Sequence, residues 1–174
     1  GLTPQEPLQR ISTALTRIKP SAHERRTIHL ASGIYSHSGN NQLFPIQMRE
    51  NIDIIGTDRD SVVLDGEDRN ILITAKTLSG YPPEYIQDIS VRNLKLTRAH
   101  GGEHIFGGIT LLNAKNVLLE NILVTGTRTS EGVRSHYLVS FEKWENIILK
   151  NFDVIGNDIA PRLVDVLFTA HGME

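Results

Sequence analysis

The stretch Asn116-Val117-Leu118-Leu119-Glu120-Asn121-Ile122-Leu123-Val124-Thr125-Gly126 returns as Asn146-Ile147-Ile148-Leu149-Lys150-Asn151-Phe152-Asp153-Val154-Ile155-Gly156, an offset of 30 residues from 116 to 146. Both copies carry Asn at the first and sixth places and Gly at the eleventh. Residues 88–97 fit the same template 28 residues before position 116, and residues 51–56 form a degenerate copy. A period of this length, built from short β-patterned runs, is typical of a solenoid.

Each copy holds two alternating runs that pivot on one asparagine. In the later copy Ile147 and Leu149 share one strand face, and Phe152 and Val154 share another. A single Asn151 leaves no room for a hairpin, but asparagine tolerates the left-handed conformation and can bend the chain. The chain is therefore expected to wind onward rather than to reverse.

A third apolar run closes each unit, and three strands in every 28 to 30 residues predict an all-β parallel β-helix of about four to five turns. The crossover rule makes it right-handed. Asn93, Asn121 and Asn151 are expected to stack as a hydrogen-bonded ladder at one corner. An antiparallel sandwich is the alternative, but it does not explain the equal spacing of asparagines. The closing runs are residues 71–75, 108–114, 137–144 and 163–170.

Residues 1–20 are predicted to form an N-terminal capping helix, and residues 21–174 the β-helix. The helical pattern covers residues 3–18, with Pro4 at the first helical position and an apolar stripe along one side. Lys19-Pro20 would end this helix. A solenoid needs its first coil covered, so the helix is expected to act as that cap. The stripe consists of Leu8, Ile11, Leu15 and Ile18.

Composition excludes several classes of protein. The length of 174 residues fits about one domain. A net charge of −2 gives no electrostatic case for nucleic acid as a partner. No run of 18 apolar residues is present, which argues against a membrane-spanning segment. The chain has no cysteine, so cysteine usage leaves its compartment open.

The N-terminal half carries a family resemblance on four runs: residues 27–36, 43–46, 52–56 and 62–66. Their order resembles the N-terminal part of pectin-lyase-like β-helix proteins, in particular a bacterial domain with a "GtY…FPi…liG" signature. One departure is Ala31-Ser32-Gly33, which replaces the common Pro-Gly lead-in. The resemblance implies an exported bacterial protein, extracellular or on the cell surface. It does not fix an activity, because such folds host many functions.

The resemblance also implies a substrate groove along the closing strands, with a rim built by the loops that enter them. Those loops are residues 98–104, 128–136 and 157–162, which are expected to stack on one side. Their arginines would pair with carboxylates of an acidic sugar, or else form ordinary surface ion pairs. An aromatic side chain there would stack on a sugar ring or pack at a strand end. The candidate ligand-binding residues are Arg98, His100, Glu103, His104, Arg128, Tyr137 and Trp144.

Catalytic candidates in the same loops suit two reactions. A uronate lyase needs a cation such as Arg134 to neutralise the carboxylate, and a base such as His136, His104 or Glu131 to remove the α-proton. A glycoside hydrolase needs a pair of carboxylates, for which Glu142 and Asp165 are the candidates.

No metal or other cofactor is predicted. His100 and His104 have the spacing of two ligands on a helix, but Gly101-Gly102 argues against a helix. Calcium lacks support as well, because the clustered aspartates of pectate lyases of this fold are missing. The Asn-Thr-Asp and Asp-Asp elements of polygalacturonases are missing too.

The leading functional hypothesis is therefore a β-helix module that binds polysaccharide or presents itself to it, without a recognisable catalytic set. The first alternative is a polysaccharide lyase or glycoside hydrolase acting on acidic glycans. The second is a structural spacer or oligomerisation domain. Because the last predicted strand lies close to Glu174, self-association or continuation by another segment is expected at that turn.

Overall fold

The described strands of this chain pair in parallel, and paired residues such as Arg26 and Ile52, or Asp53 and Ser90, are 26 to 37 positions apart in sequence. The computed structural model describes residues 3, 5–19, 24–69, 71–76, 85–101, 108–129 and 139–156. In chain order the elements are α1 Ile11–Arg17, β1 Arg26–Leu30, β2 Gly33–Ser36, α2 His37–Asn40, β3 Ile46–Gln47, β4 Ile52–Gly56, β5 Val62–Asp65, β6 Ile73–Lys76, β7 Ile86–Thr97, β8 His100–Gly101, β9 Ile109–Thr125, β10 Arg128–Thr129 and β11 Val139–Ile155.

These strands form three walls of a parallel β-solenoid. The first wall stacks β1, β4 and the middle parts of β7, β9 and β11, which gives five successive levels. The second wall stacks β2 and β5 with the ends of the same three long strands. The third wall stacks β3, β6 and the beginnings of β9 and β11. The antiparallel sandwich is therefore wrong for the described residues, in which every strand pair is parallel.

The third wall shows how many turns are complete. Its register runs from Ile46 to Ile73, then Ile109, then Val139, so three steps separate its first and last strands. The described chain is thus a solenoid of about three turns. The prediction of about four to five turns included a closing strand at residues 163–170, which lies outside the described residues.

The core is a set of apolar columns that run along the solenoid axis. Ile46, Ile73, Ile109 and Val139 form one such column, and each is at most 2% exposed. Because side chains alternate between the two faces of a strand, the parallel register places each buried residue directly over its counterpart in the level below. Each fully buried side chain of this kind stabilises the fold by about 1.5–3 kcal/mol.

Left-handed asparagines turn the chain between the first and second walls. Asn93, Asn121 and Asn151 have φ angles of 57°, 56° and 49°. Asn121 Nδ2 donates to Asn93 Oδ1 at 3.0 Å, and Asn93 Nδ2 donates to the Gly56 carbonyl at 3.2 Å. A Cβ at position 56 would lie 2.1 Å from the Asn93 carbonyl oxygen, so only glycine fits there. The predicted ladder is confirmed for Asn93 and Asn121.

A second ladder lies at the corner where the third wall meets the first. Asn116 Nδ2 donates to Asp88 Oδ1 at 3.0 Å, and Asn146 Nδ2 donates to Asn116 Oδ1 at 3.0 Å. All three residues are left-handed, with φ between 52° and 56°. The first-place asparagine of the repeat therefore has the same function as the sixth-place one, which the sequence analysis did not predict.

The N-terminal helix is shorter than predicted. It begins at Ile11, after an extended Arg10 with φ −121° and ψ 136°, rather than at residue 3. Pro7 has no N–H to donate, and it also disfavours helical geometry at Glu6. The segment before it forms an isolated turn instead, in which the Glu6 N–H donates to the Thr3 carbonyl at 3.2 Å.

Side chains of the first coil hold both ends of α1. The Ile11 N–H donates to Gln42 Oε1 at 2.9 Å, so a buried glutamine replaces the missing side-chain cap. Arg49 Nη1 donates to the Leu15 carbonyl at 2.6 Å and to the Ile18 carbonyl at 3.1 Å. Ile11 and Leu15 are buried in the core of the solenoid. The helix therefore lies against the first coil.

Two substitutions of Asn121 separate the contribution of its side-chain hydrogen bond from that of its left-handed backbone conformation. Asn121→Ala should lower the free energy of unfolding by about 2 kcal/mol, because it loses a hydrogen bond and also the side-chain amide that lets asparagine adopt the left-handed region. Asn121→Gly loses the same bond but accepts that conformation, so about 1 kcal/mol is expected. Urea unfolding of both variants checks this, and a glycine variant as unstable as the alanine variant would contradict it.

Candidate functional site

The described parts of the first two predicted rim loops stack on each other. Strands β8 and β10 pair in parallel, with His100 beside Arg128 and Gly101 beside Thr129. Both strands follow the second wall and precede the third, which is where the groove rim was expected. Neighbouring parallel strands lie about 4.8 Å apart, so His100 and Arg128 occupy consecutive levels. We call Arg98, His100 and Arg128 the rim.

Arg98 is fixed at this rim by a buried carboxylate. Its Nε donates to Asp65 Oδ1 at 2.9 Å, and its Nη2 donates to Asp65 Oδ2. The Asp65 side chain is only 10% exposed, whereas that of Arg98 is 49% exposed. The hydrogen bond to Asp65 is the main cause that raises the pKa of Arg98, and the negative charge of Asp65 adds to it. The guanidinium is therefore held in one orientation with half of its surface in solvent.

The remaining candidates are only partly placed. Trp144 is half-buried and packs against the core. The backbone of Glu142 lies in β11 beside Leu112. The other predicted residues lie outside the described parts of the chain: Glu103, His104, Glu131, Arg134, His136, Tyr137, loop 157–162 and Asp165.

The outer face of the third wall carries a column of hydroxyl groups. Thr74, Thr110 and Ser140 are in register, on the side opposite the core residues Ile109 and Leu111. Their exposures are 8%, 5% and 9%, so the column is a buried polar strip rather than an open surface. Within the described parts of the chain, Thr110 Oγ1 has no hydrogen-bond partner. This hydroxyl thus keeps its capacity to donate and accept.

A polar cavity of about 450 Å³ lies at the opposite corner, between the first and second walls. Here residues 57–61 replace the single asparagine that turns the later levels. Asp58 Oδ1 accepts from the Asp60 N–H at 2.9 Å and from the Ser61 N–H at 3.1 Å. Arg59 Nη1 donates to Asp153 Oδ2 at 2.6 Å. The lining residues are Asp58, Arg59, Asp60, Asn121, Asn151 and Asp153.

No pattern in the sequence singled out residues 57–61 as a site. The signal that would have found this corner is a mismatch in length: five residues stand where Asn93, Asn121 and Asn151 each suffice alone. A longer connection in a periodic fold must leave the common path. The local sequence does not show that Arg59 contacts Asp153, which lies 94 positions further along the chain.

Two negative findings apply to the described residues. No group of three or more His, Asp or Glu side chains among them is arranged to hold a metal ion. Neither of their helices is long and apolar enough to cross a membrane.

Away from the rim, Asp53 joins three consecutive levels on the first wall. Arg25 donates to it twice, from Nε and Nη2, both at 2.7 Å, and Ser90 Oγ donates at 2.5 Å. Burial of Asp53 disfavours its charge, but the hydrogen bonds from Arg25 and Ser90 outweigh this and hold the pKa of the carboxyl below its ordinary value. This cluster therefore stabilises the fold in its ionised form.

The Asp53 carboxylate predicts a specific dependence of stability on pH. Since its pKa is lower in the folded state, its contribution is present above the ordinary value of about 3.9 and is lost as pH falls through the folded value. Asp53→Asn should cost about 1–2 kcal/mol near pH 7, because Arg25 is half exposed and screened. The difference from the wild type should shrink below about pH 4. Urea unfolding across this range measures it, and a constant difference would contradict it.

Comparison with known proteins gives one match. The profile of the family described as "Protein of unknown function (DUF1565)" covers residues 2–160. No curated protein and no solved structure gives a significant match.

Proposed function

Since this chain belongs to the DUF1565 family, we propose its function from its own geometry: it binds acidic polysaccharide at the rim and does not cleave it. The observation that supports this most is the pairing of β8 with β10, which sets His100 and Arg128 on consecutive levels. Arg98, fixed by Asp65, lies just before β8 in the same loop.

A linear polyanion suits this arrangement. The rim positions follow one another along the solenoid axis at about 4.8 Å per level, so a chain of acidic sugars lying along the axis meets them in turn. A guanidinium binds a carboxylate through two parallel hydrogen bonds, which gives orientation as well as affinity.

We also propose a handedness and a superfamily for this solenoid. A parallel strand followed by a crossover to the next parallel strand is right-handed in nearly all proteins, so we assign this winding to the solenoid. Together with the residues quoted above, this supports membership of the pectin-lyase-like superfamily. A polysaccharide ligand in turn supports an extracellular or cell-surface location.

A polysaccharide lyase is the second candidate, because the backbone register pairs His100 with Arg128, and a histidine and an arginine are the residue types that such a reaction needs as base and neutralising cation. Binding and lyase activity both require an acidic polysaccharide, but only the lyase cleaves its glycosidic linkage. A lyase leaves an unsaturated sugar at the new chain end, whose ultraviolet absorbance can be followed.

Binding to uronate polymers tests the proposal. Arg128→Ala should weaken binding about ten-fold, the equivalent of one charge-assisted pair of about 1.4 kcal/mol. Arg26→Ala is the matched control, because Arg26 pairs with exposed Glu24 on the first wall, away from the rim. Isothermal titration with an acidic polymer and with a neutral polymer measures the effect.

The outcomes separate the candidates. Binding of the acidic polymer alone, reduced by Arg128→Ala and not by Arg26→Ala, supports the rim as the site. Release of unsaturated product by the wild type would replace the binding function with the lyase. Equal loss in both variants, or no binding to either polymer, would overturn the proposal in favour of a structural spacer.

A further inference from the structure

Residues 57–61 leave the common path of the solenoid and reach across several of its levels. The segment connects β4 to β5 on the second level, yet Arg59 bonds Asp153 on the fifth level. The register gives the span: Val63 lies beside Lys95, Lys95 beside Leu123, and Leu123 beside Asp153. Three steps correspond to about 14 Å along the axis. We call residues 57–61 the strap.

The base of the strap is anchored on the first two levels. Ser32 Oγ bonds Thr57 Oγ1 at 3.1 Å and Ser61 Oγ at 2.9 Å, so both ends of the strap are joined to the first level. The Gly33 N–H also donates to the Ser61 carbonyl at 2.8 Å. Inside the strap, the Asp58 side chain closes a turn on the next backbone amides. The strap is therefore a stiff arm with a fixed base.

Arg59, at the tip of the strap, contacts the second wall through an ion pair rather than through apolar packing. The polar cavity lies beneath it, and the ion pair between Arg59 and Asp153 bridges that space. The two side chains are 27% and 47% exposed, so salt in solution screens their attraction. An ion pair of this kind contributes a small free energy, and its size depends on the ionic strength.

The tip holds β11, the last strand that the structure describes. Among the described strands β11 pairs only with β9, so its other side has no described neighbour. Ile148, Leu149 and Ile155 of β11 are 51%, 42% and 61% exposed. Within the described residues, β11 is therefore held from one side by its register with β9, and a strand edge of this kind can recruit other strands.

From these observations we propose that the strap is a salt-sensitive clasp, in which Arg59 holds the fifth level of the solenoid against the levels below. While the ion pair is closed, β11 stays in register on β9. When it opens, β11 frays and its edge becomes available to other chains. This inference is independent of the proposed glycan site, which lies on a different corner.

Amide hydrogen exchange on the intact chain tests the clasp. Arg59→Ala should speed exchange in residues 147–155 by about two- to five-fold, with residues 26–56 unchanged. Lys150→Ala is the matched control: it removes an exposed ion pair to Glu120 that joins only adjacent levels, so a smaller effect is expected. The double variant Arg59→Asp with Asp153→Arg should return exchange toward the wild-type rate.

Salt provides an independent readout. Raising the ionic strength from about 0.1 M to about 1 M should speed exchange in residues 147–155 of the wild type and speed it less in Arg59→Ala, in which only the ion pairs between adjacent levels remain. Unchanged exchange in Arg59→Ala would overturn the clasp. So would an increase spread evenly over residues 26–56, since this indicates general destabilisation, or a failure of the charge-reversed pair to restore the rate.

Discussion

The whole solenoid depends on one backbone constraint, the left-handed bend at each corner. Among the described residues, eight of the twelve non-glycine residues with positive φ are asparagines, and the bends at residues 93, 121 and 151 separate two walls with a single residue each. Because these bends are so short, the third, fourth and fifth levels keep the same outline at this corner and stack directly on one another. Apolar columns and amide ladders are both consequences of that alignment. Asparagine suits both requirements, since it accepts the bend and offers an amide to its neighbour.

The periodic part of the fold could be predicted because the repeats are visible in the sequence. Equal offsets between asparagines imply equal levels, and this predicted the parallel walls, the ladder of Asn93 and Asn121, and the stacking of the loops that hold His100 and Arg128. The start of α1 was wrong, because an apolar stripe was given more weight than the local effect of Pro7. Helical patterning tells which face is buried more reliably than it tells where a helix begins.

The contacts that escaped prediction are those between positions with no equivalent in the repeat. Asp65 orients Arg98 from the level below, and Arg59 meets Asp153 from three levels away. Neither pairing follows from spacing, because one partner in each case belongs to a connection that varies in length. The charged residues near the rim looked alike in sequence, whereas the structure shows Arg98 already bound to an internal carboxylate. Such contacts depend on which connections lie on neighbouring levels, and this follows from the three-dimensional structure rather than from the spacing of residues in the sequence.

The ladders also have a direction. Asn116 donates to Asp88 in the older, N-terminal coil and accepts from Asn146 in the newer coil, and Asn93 accepts from Asn121 in the same sense. A duplicated repeat inserted between positions 116 and 146 would find the same donors and acceptors, but it would also move Asp153 one level further from Arg59. The ladder ends at Asp88, because an ionised carboxylate accepts hydrogen bonds and has no N–H to donate to the coil below. An added coil is therefore compatible with the ladder above Asp88, and its cost would fall on the strap, which spans a fixed number of levels.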